Sequence, residues 1–154
     1  MKPPMITPKN KIGGIVVVSL KTTKFSDSLR QQAARGLTPV IPDIKCVSPQ
    51  AGELLQGRSP ITMAKLFLEA DAPALSVVTE PQQFGGSLRL LEQVAAFTSR
   101  PILRKDFIRD RQQLIDTVQA GASAVLLIVA ILEELSLIHI SLILTTVSTT
   151  LFIC

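Results

Sequence analysis

The feature that most restricts this chain is a repeat. Short apolar, β-prone runs at residues 39–45, 74–79, 101–104 and 124–129 alternate with stretches of helical periodicity. The units recur at roughly thirty-residue intervals, the length of a strand, a crossover helix and the next strand. Such crossovers are right-handed and lay successive strands parallel in one sheet. Leu75-Ser76-Val77-Val78 is a continuous β-prone run, as expected of a strand covered on both faces. Four units fit half of an eight-stranded barrel or a small doubly wound sheet, and periodicity does not separate the two.

The helices between the runs carry their own punctuation. Phe25, Leu29 and Ala33 fall at four-residue spacing, and Gly36 stands where a helix would stop. Ser59-Pro60 is an N-cap followed by a proline at the first helical position, with Ile61, Ala64, Phe67 and Leu68 as the buried stripe. Ser87 caps a further helix carrying Leu88, Leu91, Val94 and Ala95. Asp110 opens the last, through Leu114 and Val118 to Gly121. The expected organisation is an N-terminal extension and helix over 1–36, a partial (β/α) barrel over 37–134 and an atypical tail over 135–154.

Length and charge narrow the function classes. A chain of 154 residues holds one domain with a core, but a typical eight-fold barrel takes about 250. A net charge of +4 suits an anionic partner. The lysines and arginines form no block and no aromatics interleave with them, so a small phosphorylated metabolite fits better than nucleic acid. Cys46 and Cys154 do not make a disulfide framework and read as reduced thiols of a cytoplasmic protein. Cys46 is weak as a nucleophile, because the single histidine, His139, lies in a very different part of the chain. The run Ile15–Val18 is too short for a secretory signal and is followed by lysines without a cleavage site. Beyond Glu134 there is no Asp, Glu, Lys or Arg. The tail has the length of a membrane anchor, but its many Ser and Thr and its lack of flanking basic residues favour a non-native continuation of the fold. His139 falls there and is assigned no role.

Two of the apolar runs end abruptly in charge: Pro42-Asp43-Ile44-Lys45 and Leu103-Arg104-Lys105-Asp106. In a parallel α/β fold that transition marks the carboxyl end of a strand, where chemistry is placed. Taken singly, each lysine is an ordinary solvated strand end. Together they suggest one anion-binding rim. Arg104 alternates to the other face of its strand, and Asp106 reads as an exposed turn residue. Gly85-Gly86-Ser87 could cradle a phosphate, although a loop-to-helix cap is the commoner use of such residues.

Four motifs in series, P-D-I-K-C-V-S-P-x-x-G, A-L-S-V-V-T-E-P-x-x-F-G-G-S, P-I-L-R-K-D-F-I and G-A-S-A-V-L-L-I-V, resemble indole-3-glycerol phosphate synthase over about residues 39–132. The resemblance implies the first four βα units of a (β/α)8 TIM barrel. It implies ring closure of 1-(2-carboxyphenylamino)-1-deoxyribulose 5-phosphate with loss of carbon dioxide and water, in tryptophan biosynthesis, without metal or organic cofactor. By the same resemblance Lys105 is the general acid, Lys45 contacts substrate and shares in proton donation, and Asp43 stands where the family has glutamate, orienting the lysines. Ser48 lines the polar end of the substrate, and Phe84, Phe107 and Leu126 pack around its anthranilate ring. Gln50 replaces a second serine of the family's turn. The family's general-base glutamate and its phosphate-holding residues come from later strands, so the chain as it stands is expected to be a fragment with little or no activity. A half barrel would also have two open strand edges and could pair with itself. The alternatives are a non-catalytic half-barrel that binds a phosphorylated ligand and a tail-anchored membrane protein.

Overall fold

Local caps set the frame of the fold in the computed structural model, which describes residues 15–19, 24–132 and 151–153. The apolar run of the extension is a strand, β1 (Ile15–Ser19). It is followed by α1 (Lys24–Ala34), and the chain leaves that helix through Gly36 at a φ of 77°. An L-residue pays roughly 1–2 kcal/mol for that left-handed conformation.

β2 (Asp43–Ile44) is far shorter than the run 39–45 leads one to expect. Pro39 and Pro42 have no N–H to give a ladder. The Pro42 carbonyl still accepts from the Ser76 N–H at 2.9 Å, and regular pairing begins only at the next residue. A small antiparallel hairpin follows, β3 (Val47–Ser48) with β4 (Gly52–Glu53). The sequence pattern did not separate it from the surrounding loop.

Ser59 Oγ accepts the Thr62 N–H at 3.1 Å and starts α2 (Pro60–Glu69), with Pro60 in the first turn where a missing N–H costs nothing. β5 (Leu75–Val78) is buried along its whole length. A one-turn helix, α3 (Pro81–Phe84), follows Glu80, and α4 (Leu88–Phe97) follows the Ser87 cap. β6 (Ile102–Lys105) leads to α5 (Arg111–Gln119), which opens on a reciprocal capping box between Asp110 and Gln113. β7 (Ala124–Ile128) runs into a 3₁₀ turn at Val129–Ile131, and β8 (Leu151–Ile153) ends the described chain.

Strands β2, β5, β6 and β7 are parallel and adjacent in that order, as the repeat requires. The far edge of β7 is not open. β1 pairs antiparallel with it, Ile15 opposite Ile128 through Ser19 opposite Ala124, and β8 pairs with β1 in turn. Two edge strands remain among the described residues, β2 and β8, but the edge expected at β7 is covered by β1.

Alternation along the strands divides the core. Ile44, Leu75, Val77 and Ile102 face the helices, packed with Ala64, Leu91 and Val94. Leu103 and Ala124 face the other way, where Phe25 of α1 packs against them and Ala74. Val118 of α5 is exposed rather than buried, and Thr117 takes the buried position. The end of the sheet opposite the charged rim is braced by Asp71, whose carboxylate receives Arg35 at 2.9 Å and Arg100 at 2.8 Å. Among the described residues no helix is long and apolar enough to cross a membrane. The tail expectation and His139 lie outside the described residues, apart from the three that form β8.

Candidate active site

Register brings Asp43 and Lys105 to one rim. Ser76 of β5 is level with Asp43 on one side and with Leu103 on the other, so Lys105 stands two residues further along β6 on the same face as Leu103. Its side chain crosses the end of β5, and Nζ donates to Asp43 Oδ2 at 2.6 Å. Both side chains remain partly open to solvent, so the pair is oriented more than it is stabilised.

Lys45 takes a different partner. Its ammonium lies 4.6 Å from the centroid of the Phe84 ring, a cation–π contact. Phe84 is placed by α3, and α3 is placed by Glu80. The Glu80 carboxylate accepts the N–H groups of Gln82, Gln83 and Phe84 at 3.0, 2.7 and 3.2 Å, satisfying the donors that a helix start leaves free. The Phe107 ring lies 6.5 Å from that of Phe84, tilted by 44°.

Between these groups is a cavity of about 200 Å³ lined by Lys45, Lys105, Phe84, Phe107 and Leu126. Five of the seven residues expected at the site therefore meet in one place. Asp43 reaches it through its bond to Lys105. Ser48 is not part of the lining; it sits half-buried on the β3–β4 hairpin. Val78, Glu80, Asp106 and Ile128 also line the cavity, and the sequence pattern did not single them out. Ile128 was within reach of simple alternation, since it shares a face with Leu126. Glu80 directly before Pro81 is a helix-start signature in its own right.

Gly86 packs so closely on the end of β5 that a Cβ would meet Thr79 Cα at 2.8 Å and the Val78 carbonyl oxygen closer still. Ser87 Oγ accepts the Leu90 N–H at 3.1 Å. The Gly-Gly-Ser turn thus serves as a tight connection and a cap. Asp106 is not an exposed turn residue: its side chain is 11% exposed and paired with Arg104 at 2.9 Å. Cys46 is half-buried; burial, and then the negative charge of Glu53, push its thiol above the usual range, which keeps it protonated and a poor nucleophile.

The arrangement offers an ammonium held by a carboxylate, a second ammonium lying against an aromatic ring, and a cavity walled by Phe84, Phe107 and Leu126. Among the described residues there is no cluster of metal-ligating side chains. A family profile described as "Indole-3-glycerol phosphate synthase" matches residues 8–148, a span that extends past both ends of the motif series. Three curated relatives carry that same name. The protein from Pyrococcus furiosus is 42% identical over 96 residues, 62% of this chain and 42% of the relative. The one from Leifsonia xyli is 46% identical over 95 residues, covering 62% and 36%. The one from Chlorobium chlorochromatii is 44% identical over 110 residues, covering 71% and 42%. The chain thus spans less than half the length of these relatives, and its four parallel strands are a partial (β/α) barrel. With a profile match across most of its residues, the chain belongs to the indole-3-glycerol phosphate synthase family.

Proposed function

We propose that this chain carries the proton-donating side of indole-3-glycerol phosphate synthesis, the ring closure of 1-(2-carboxyphenylamino)-1-deoxyribulose 5-phosphate with loss of carbon dioxide and water. The observation that carries the reading is the Lys105–Asp43 pair opening onto a slot walled by Phe84, Phe107 and Leu126. The reaction forms a carbon–carbon bond at a ketone and then expels a hydroxyl, and each step needs a proton delivered to oxygen. Lys105 Nζ supplies it, and Asp43 aims the ammonium. The anthranilate ring fills the apolar slot, where Lys45 lies over Phe84 and meets the anionic substrate. Ser48, on the neighbouring hairpin, takes the polar end. The substrate is small and phosphorylated, and the setting is cytoplasmic. Among the described residues β2 has no neighbour on its outer side, which supports self-association as part of the same reading.

Binding tests this directly. The chain has no tryptophan or tyrosine, so the fluorescence of the substrate's own aminobenzoate ring is unobscured. Titration of the purified protein into the substrate should change that emission saturably. Replacing both lysines (K45A/K105A) should weaken binding about 10- to 100-fold, the size expected for lost charge-assisted contacts. Equal affinity of the doubly substituted and parent proteins refutes the assignment.

A further inference from the structure

Lys105 lies between Arg104, on the opposite face of β6, and Asp106, just past the strand's end; both are almost completely buried, at 7% and 11% side-chain exposure. Arg104 is not part of the cavity lining, and Asp106 borders it only beside Lys105 and Phe107. Together they form a closed network. Arg104 Nε donates to Thr79 Oγ1 at 3.0 Å, one terminal nitrogen donates to the Gln113 carbonyl at 3.0 Å and to Thr117 Oγ1 at 2.8 Å, and the other to Asp106 Oδ2 at 2.9 Å. Four of the five guanidinium donors are thereby used. Asp106 Oδ2 also accepts the Thr79 hydroxyl at 2.6 Å, and Oδ1 accepts the Phe107 N–H at 2.8 Å. The Thr79 N–H donates to the Lys105 carbonyl at 3.0 Å.

Residue 105 is therefore held on three sides: by its own carbonyl, by the side chain before it and by the side chain after it. A buried ion pair adds little net stability compared with apolar groups of similar volume. What it does add is direction, since each bond has a fixed angle and joins a different segment: Thr79 just past β5, α5 through Gln113 and Thr117, and the Phe107 backbone through Oδ1. We propose that Arg104 and Asp106 are positioning residues that set where the Lys105 ammonium points and where Phe107 stands. The inference rests on the reading of Lys105 as the proton donor for its functional meaning, but its geometry is tested separately.

The test is competitive chemical labelling of lysines in the intact protein, read by mass spectrometry, with exposed Lys65 of α2 as internal reference. The substitution Arg104→Met with Asp106→Asn removes the charge pair without stranding either charge, and the asparagine can still accept the Phe107 N–H. Across a pH series, labelling of Lys105 relative to Lys65 should rise by about two- to fivefold, the range for releasing a partly exposed ion pair. Lys45 relative to Lys65 should not move, and the protein should still melt cooperatively. A Lys105 ratio unchanged within 1.5-fold (an experimental threshold of about twice the usual scatter, chosen below the smallest expected ion-pair effect) in the folded variant overturns the inference. Should that variant not fold, Thr79→Val, which takes a single tie from each of the two residues, is put to the same comparison with the same two outcomes. The two ideas fail differently: unaltered substrate binding in Lys105→Ala refutes the functional reading and leaves the positioning intact, whereas unaltered labelling refutes the positioning alone.

Discussion

Gly86 is the position at which one added methyl group should do the most damage. A Cβ there would lie 2.8 Å from Thr79 Cα and nearer still to the Val78 carbonyl oxygen, where carbon–carbon contacts normally sit at about 3.5–4.0 Å. The obstructing atoms cannot give way. They are backbone at the end of β5, which is buried and paired with β6 up to Val78 opposite Lys105. The turn must move instead, by roughly 1 Å from the difference between those distances. That movement strains the 2.9 Å bond from the Gly86 N–H to the Glu80 carbonyl. Overpacking of this kind costs about 1–3 kcal/mol and a weakened backbone bond about 1 more, so Gly86→Ala should lose about 2–4 kcal/mol. Gly36→Ala is the control. Its φ is 77° but nothing stands within 4 Å of the added carbon, and strain alone predicts about 1 kcal/mol. Urea unfolding followed by far-ultraviolet circular dichroism measures both, since the chain has no tryptophan to report by fluorescence. Gly86→Ala should also weaken substrate binding, because the displaced turn carries Phe84. If Gly86→Ala costs no more than Gly36→Ala, the close-approach argument is wrong.

Three shorter expectations follow from other parts of the molecule. Hydrogen bonds from Arg35 and then Arg100 hold the Asp71 carboxyl below its ordinary value of 3.8. Its folded state therefore binds the proton less readily than the unfolded chain, so the stability it adds is complete above about that ordinary value and fades as the pH falls through the lower folded one. The gap in melting temperature between the parent protein and Asp71→Asn should close on acidification, and a gap that widens would contradict the brace. Cys46, its thiol pushed up by burial and by Glu53, should be alkylated by iodoacetamide near pH 8 more slowly than a free thiol of ordinary acidity, a rate at or above the free thiol being the contrary result. Asp110→Ala removes the acceptor for the Gln113 N–H and should cost about 1 kcal/mol, or a drop in melting temperature of about 2–4 °C, with no drop meaning that the capping box is dispensable.

Helix starts were legible because their signals are local. Ser59-Pro60, Ser87 and Asp110 each satisfy backbone donors within the next turn, and a one-dimensional pattern contains everything needed to see that. Strands β5, β6 and β7 were legible for a related reason, since a strand covered on both faces has little room for polar residues. The first strand was overestimated because apolar character was counted across two prolines that cannot join a ladder. Two errors share a deeper cause. Asp106 follows an apolar run, and charge after a strand normally marks solvent. Its burial depends on Thr79 and on Arg104, itself tied to Gln113 and Thr117, partners that only the folded chain brings together. Val118 fits the apolar spacing of its helix, but the buried position goes to Thr117, whose hydroxyl is needed as a partner for Arg104. At the site, the lysines were found by strand ends, Phe84 and Phe107 by resemblance, and Glu80 by neither, because its work is to hold a helix turn rather than to face a substrate.

The antiparallel strand on β7 has a consequence for assembly. A strand edge has one row of donors and acceptors and admits one neighbour. In a barrel of parallel strands the fifth strand would need the edge that residues 15–19 already occupy opposite 124–128. The two arrangements are mutually exclusive, and they run in opposite directions. Any partner strand that completes a parallel sheet at this edge must first displace β1, so closure there is a competition between a tethered segment and an incoming one, decided by their relative effective concentrations.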